Sequence, residues 1–187
     1  MKAVVIVVDM LKDNVGSGNS PVSQEIRRII PSIQTLLSSA RKLEVPIVYA
    51  NDSFLPGDFI FQGRQPHAVR GTEGNKVIPE LEPKEGDIIV EKRRFSAFFK
   101  TDLDMTLRNL GIDTVAVAGI AIEACTLMTA MDAISNDFYA IILEDCCTSP
   151  QRENYETIVN VYRNLKMFSP IMRILSAEEF LSAVGNS

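Results

Sequence analysis

The sequence predicts a three-layer α/β sandwich: a doubly wound, mainly parallel six-stranded sheet with helices on both faces. Apolar runs of strand length recur at 3–8, 46–50, 87–91, 113–119, 139–143 and 171–175. Most are near-continuous in Val, Ile, Leu or Ala rather than alternating, the pattern of strands covered on both faces. Segments with helical spacing lie between them, so strand and helix alternate along the chain. With 187 residues and 46% hydrophobic content, one sizeable core is affordable, and residues 1–187 are expected to form a single domain.

The elements follow in order. The strand Ala3–Val8 runs directly into Asp9. Ile26, Ile29, Ile30, Ile33, Leu36, Leu37 and Leu43 form the apolar stripe of the first helix, with Pro31 marking an irregularity or a helix start. The second strand opens onto a non-periodic stretch from Asp52 to about residue 77 that holds Pro56, Gly57, Gly63, Pro66, Gly71 and Gly74. A loop of that length reads as a lid or a subunit contact. Its apolar residues Phe54, Leu55, Phe59, Ile60 and Phe61 need cover, which points to a homo-oligomer, most simply a dimer or tetramer.

The third strand ends in Lys92, and Leu103, Leu107 and Leu110 mark a helix that stops at Gly111. The run from Thr114 to Ala133 reads as a buried strand, a tight turn and a helix that Cys125 begins, with Met128, Ala130, Met131 and Ile134 behind it. Ile158, Val161, Tyr162 and Leu165 mark a further helix, and residues 177–184 the last. Cys146 and Cys147 are placed just beyond the fifth strand, as packing residues with no part in the chemistry.

Bulk properties exclude several classes. A net charge of -5 without a long basic run argues against a nucleic-acid surface. Three cysteines, two of them adjacent, make no disulfide framework. No stretch is long enough to span a membrane and no signal peptide precedes the first strand, so a cytoplasmic setting is expected. A single histidine, His67, rules out any two-histidine metal motif and leaves little room for a histidine base.

The chemistry then rests on strand ends. In a parallel sheet the C-termini of the strands open onto one edge, where ligands bind. Asp9, Lys92 and Cys125 should converge there. A thiol at a helix start sits where backbone amides and the helix dipole favour a thiolate. Asp9 can then act as general base, and Lys92 can hold the anions in place.

Five segments carry a family resemblance: Val7-Val8-Asp9-Met10, Gly71-Thr72-Glu73-Gly74, the run from Glu91 to Phe98, the run from Leu107 to Ile112, and Gly119-Ile120-Ala121-Ile122-Glu123-Ala124-Cys125. In order and spacing they resemble the isochorismatase-like cysteine hydrolases. The resemblance implies an Asp9, Lys92, Cys125 triad and an oxyanion hole built from the backbone N–H groups of Ala121 and Cys125. It also implies a cis peptide between Ile120 and Ala121, and hydrolysis of a carbon–nitrogen bond through a thioester with release of ammonia. Metal-dependent nicotinamidases of the family carry Asp-x-His after the second strand, whereas this chain has Asp52-Ser53-Phe54. No metal or other cofactor is therefore expected, and Asp52 reads as a structural or substrate-contacting carboxylate.

Within the family the N-carbamoylsarcosine amidase branch is the most similar, which implies a small amide or ureido acid as substrate. Arg64, Arg70, Arg93 and Arg94 are the candidates for its carboxylate. Two alternatives stay open: a nicotinamidase-like amidase, and a degenerate, non-catalytic α/β binding module. The module finds little support in the sequence, which has no G-x-G-x-x-G after a strand and no Walker lysine.

Overall fold

The computed structural model describes residues 1–186. Six strands form one sheet, β1 (Ala3–Val8), β2 (Ile47–Asp52), β3 (Ile88–Lys92), β4 (Thr114–Gly119), β5 (Tyr139–Cys147) and β6 (Met172–Leu175). Their order is β3-β2-β1-β4-β5-β6, and every adjacent pair is parallel. The chain winds outward from β1 to β3, then returns to β4 on the other side of β1. The switch point of the sheet therefore lies between β1 and β4, at the strand C-termini where open α/β sheets generally bind ligands.

Alternate residues of β1 feed two cores. Val5 and Val7 pack with α3 (Ile30–Lys42) through Ile33, Leu36 and Leu37, and with Phe180 of α7 (Ala177–Gly185). Val4, Ile6 and Val8 face the opposite layer, with Leu103 and Leu107 of α4 (Leu103–Asn109), Ala130 and Ala133 of α5 (Leu127–Ser135), and Val159 of α6 (Arg152–Asn164). All six residues of β1 are buried, which is why its sequence shows no alternation. The edge strand β3 does alternate in exposure over its last four residues, and Ile89 is half exposed.

Three differences from the sequence reading have physical causes. The expected first helix is broken: a short α1 (Lys12–Val15) and α2 (Pro21–Arg27) precede α3, and Pro31 lies in the first turn of α3. A proline is tolerated there because its missing N–H has no intrahelical partner to lose. Strand β5 continues to Cys147 through a register shift opposite Val117 and Gly119, so Cys146 and Cys147 lie inside the strand, fully buried and unpaired with each other. Glu144 and Asp145 interrupt its apolar run yet serve structure: the Glu144 carbonyl accepts from the Tyr155 hydroxyl, and Asp145 Oδ1 accepts from Ala177 N at 2.8 Å.

The third difference concerns residues 52–77. Phe54 N donates to the Ala68 carbonyl and Arg70 N to the Phe54 carbonyl, while Ala68 N donates to Asp13 Oδ2 at 2.9 Å. Phe54, Leu11 and Ala68 make a small core of their own, with Ile60 and Phe61 packed against it. The loop is thus folded onto its parent domain, leaving Phe59, 71% exposed, and Leu55 as its outward apolar residues. Among the described residues no helix is long and apolar enough to cross a membrane.

Candidate active site

Asp9 follows the last residue of β1 in a left-handed conformation, φ 54°, which aspartate tolerates better than most side chains. Local hydrogen bonds hold it there. Its N–H donates to the Ala50 carbonyl at 3.1 Å, and its carbonyl accepts from Leu11 N at 2.7 Å and from Asn14 Nδ2 at 3.2 Å. The carboxylate is fixed as well, since Oδ1 accepts the backbone N–H of Asp52 at 2.7 Å.

Lys92 is the last residue of β3, in register with Asp52 at the end of β2. Its side chain is fully buried; Nζ donates to Asp9 Oδ2 at 2.8 Å and also to Asp52 Oδ1. Burial opposes the lysine's charge, but Asp9, Cys125 and Asp52 together outweigh it and raise its pKa. Lys92 is therefore a permanent cation at neutral pH. Burial and the nearby Asp9 charge push Asp52 up to about 7, against the pull of Lys92.

Cys125 sits in a π-helical turn, Ile122–Thr126, that leads into α5. Such turns recur at functional sites. Gly119 makes the approach possible: at φ 111° it runs so close to β1 that a Cβ would lie 2.1 Å from the Val8 carbonyl oxygen. The peptide Ile120–Ala121 is cis, as the resemblance implied. The Ala121 carbonyl accepts the amides of Ala124 at 3.0 Å and Thr126 at 3.2 Å. The extension of β5 anchors the turn from outside, because Ile122 N donates to the Thr148 carbonyl at 2.9 Å. Glu123 Oε1 accepts from Ser149 Oγ at 2.7 Å and from Asn154 Nδ2 at 3.2 Å. Sequence reading passed over this Glu123 anchor, whose partners lie more than twenty residues away in a segment without periodicity.

The structure thus brings Asp9, Lys92 and Cys125 together and adds Asp52. Nearest donor atoms of Asp9, Asp52 and Cys125 all lie within 4.8 Å of one another. One expectation fails here. The helix start was to favour a thiolate, yet burial and the carboxylates of Asp9 and Asp52 push the Cys125 thiol up, and Lys92 offsets this only in part. Burial, together with two close carboxylates, outweighs the partial charge of one helical turn. The surroundings thus favour the protonated thiol of Cys125, with the Asp9 carboxylate close by.

Asp9, Asp52 and Cys125 could each offer a donor to a metal ion, but the set does not fit one. The Lys92 ammonium already lies against both carboxylates, and a divalent ion would add like charge beside it. The one histidine is engaged elsewhere: the His67 ring packs edge-on to Phe54 and Phe61, with centroids 5.5 and 5.6 Å away.

The candidate arginines separate. Arg93 pairs with Asp58 through Nε at 3.1 Å and through a second, shorter contact, and this bonding holds the Asp58 carboxyl down at about 2. Arg94 donates to the Arg93 carbonyl and lies 3.8 Å from the same aspartate. Arg70 donates to Ser53 Oγ at 2.8 Å and pairs with Glu91 at 3.4 Å. Arg64 is exposed, and among the described residues no carboxylate pairs with it.

A doubly wound parallel sheet that gathers an aspartate, a lysine and a cysteine beyond the C-terminal ends of its strands defines the class, a three-layer α/β domain with a buried Asp–Lys–Cys cluster. The chain belongs to the isochorismatase family of hydrolases, whose isochorismatase domain matches residues 3–174. It is similar to an isochorismatase-like hydrolase from Alkaliphilus metalliredigens, with a TM-score of 0.85 and 33% identity over 98% of this chain and 99% of that one. It is also similar to the N-carbamoylsarcosine amidase from Thermoplasma acidophilum, with a TM-score of 0.83 and 29% identity over 95% of this chain and 98% of that one. An uncharacterised isochorismatase family protein of Bacillus subtilis, YwoC, is 28% identical over 98% of this chain and 94% of its own length.

Proposed function

We propose that this protein is a cysteine amidohydrolase that cleaves the carbon–nitrogen bond of a small amide or ureido acid and releases ammonia. The observation that carries the reading is the buried cluster itself: a thiol flanked by a carboxylate that is held by a lysine 2.8 Å away. Cys125 Sγ attacks the carbonyl while its proton passes to Asp9, and the carbonyl electrons move onto oxygen. Backbone N–H groups of Ala121 and Cys125 receive that oxyanion. Protonated Asp9 then gives its proton to the departing nitrogen as the C–N bond breaks, leaving a thioester from an amide or a thiocarbamate from a ureido acid. A water activated by Asp9 hydrolyses it.

The similarity to N-carbamoylsarcosine amidase supports a ureido acid, and among the candidate arginines Arg64, which pairs with no carboxylate among the described residues, is the one proposed to meet its acid group. The outward Phe59 and Leu55 support a homo-oligomer, which light scattering would detect as a mass above 20.7 kDa. The test of function is an ammonia-release screen over N-carbamoylsarcosine, N-carbamoyl amino acids, ureidoacrylate and nicotinamide. Turnover of a ureido acid that vanishes in Cys125→Ala supports the reading; turnover that survives the substitution overturns it.

A further inference from the structure

We infer that Asp52 is a fourth member of this centre, a positioning residue that holds Lys92 between two carboxylates and keeps Cys125 a thiol until substrate arrives. The inference rests on the cysteine-hydrolase reading of the site. Asp52 is 5% exposed and tied on three sides. Its backbone N–H donates to Asp9 Oδ1 at 2.7 Å, its carbonyl accepts from Asn75 Nδ2 at 2.5 Å, and its carboxylate accepts from Lys92 Nζ. The charged and titratable groups that face it are Asp9 from the end of β1, Lys92 from β3 and Cys125 from the turn before α5. Beyond Ser53 stand Glu91 and Arg70, each bonded to the Ser53 hydroxyl.

The charge count gives Asp52 its task. With Asp9 alone, Lys92 would form a neutral pair and remain free to stabilise a thiolate. With Asp52 ionised, one ammonium already answers two carboxylates, so a thiolate would be a third anion within a few ångströms of one cation. The thiol then loses its proton only as Asp9 takes it up, in step with formation of the sulfur–carbon bond. Once Asp9 is protonated, Asp52 is the only carboxylate still paired with Lys92, and the lysine is never left as a lone buried cation. Asp52 thereby restrains the nucleophile at rest and supports the cation during turnover.

The test is the rate at which iodoacetamide modifies Cys125 in the full chain as a function of pH, read by peptide mass in the parent, Asp52→Asn and Asp52→Glu, with Cys125→Ala as blank. The parent midpoint should lie above the value of about 8.5 for free cysteine. Asp52→Asn, which keeps an oxygen toward Lys92 but removes the charge, should move the midpoint down by about one pH unit. Because a less basic thiolate is also less nucleophilic, modification at pH 8, where Asp52 is ionised in the parent, should rise about threefold. Asp52→Glu should restore the parent profile. An Asn profile that coincides with the parent, or moves upward, overturns the inference, as does a parent midpoint below 8.5, which can be measured even if the Asn variant fails to fold. Failure of the hydrolytic reading would appear separately, as ammonia release that persists in Cys125→Ala, and would leave these profiles unchanged.

Discussion

Gly119 and Val8 touch so closely that a single added carbon at residue 119 would lie 2.1 Å from the Val8 carbonyl oxygen and 2.8 Å from its nitrogen. This contact sets the distance between the end of β1, which carries Asp9, and the turn that carries Cys125. The neighbouring atoms are backbone in the centre of the sheet, so no flexible side chain can yield. Gly119→Ala should therefore destabilise the fold by about 2–4 kcal/mol, through overpacking and through a backbone angle that alanine disfavours. Hydrolysis should fall with it, because the turn must move. A denaturation midpoint equal to that of the parent would refute the account.

Lys92 and Cys125 separate stability from chemistry. Both substitutions Lys92→Met and Cys125→Ala should abolish hydrolysis, but only the first should unbalance the fold. Removing the ammonium leaves Asp9 and Asp52 buried together without their shared cation, a loss of about 3–5 kcal/mol. Removing the sulfur leaves a small cavity that costs about 1 kcal/mol. Urea denaturation of the two variants at pH 8 would compare them, and equal losses would mean that the lysine is not the keystone of the cluster.

Much of this was legible in the sequence because interior parallel strands cannot alternate. Ala3–Val8 and Thr114–Gly119 are buried throughout since both faces are covered, and Asp9 and Cys125 stand out as the polar or reactive residues that follow such runs, while Lys92 ends the edge strand β3. What stayed hidden depends on partners distant in sequence. The Cys125 thiol is pushed up by its own burial and by the carboxylates of Asp9 and Asp52, the latter more than seventy residues earlier. Arg93 and Arg94 read as substrate ligands until Asp58, in a loop with no periodicity, is seen to hold them. The reach of β5 to Cys147 is concealed by Glu144 and Asp145, whose polar atoms are satisfied by α6 and α7. Phe54 reads as an oligomer contact until its pairing with Ala68 shows that it packs on its own domain.

The pH dependence of stability should carry the signature of Asp52. Its pKa is raised from 3.8 to about 7, so between those values the folded protein keeps a proton that the unfolded chain has released. The associated stability is complete below pH 4 and is lost as pH rises through about 7, a change of up to about 4 kcal/mol. Lys92, raised from an already high value, contributes no slope in this window. Asp58, lowered to about 2 by Arg93 and the Leu55 amide, acts oppositely, and its contribution is lost as pH falls from about 4 to 2. In Asp52→Asn the decline between pH 5 and 8 should flatten, so that the variant gains on the parent as pH rises. Thermal denaturation at pH 5, 6.5 and 8 would show it, and parallel curves for the two proteins would sink the assignment.

The proposed choice of an acidic substrate should turn on Arg64. Arg93, Arg94 and Arg70 already face Asp58 or Glu91, so any of them must exchange a protein carboxylate for a substrate one, and the net gain is small. Arg64 has no such partner to surrender. A charge-assisted hydrogen bond from it to a substrate carboxylate would contribute about 1.5–3 kcal/mol, roughly ten- to a hundred-fold in kcat/KM if it is made in the transition state. N-carbamoylsarcosine should therefore be cleaved with a higher kcat/KM than nicotinamide, and Arg64→Ala should lower the value for the acid at least tenfold while changing that for its neutral amide analogue little. Arg93→Ala should behave differently. It frees Asp58, which accepts the Leu55 amide at 2.8 Å, and so should loosen the loop and affect acid and amide alike. Steady-state kinetics on the two variants with the matched pair of substrates decide the matter: an Arg64→Ala protein that loses both activities equally, or neither, would remove Arg64 as the carboxylate ligand and leave the cysteine chemistry untouched.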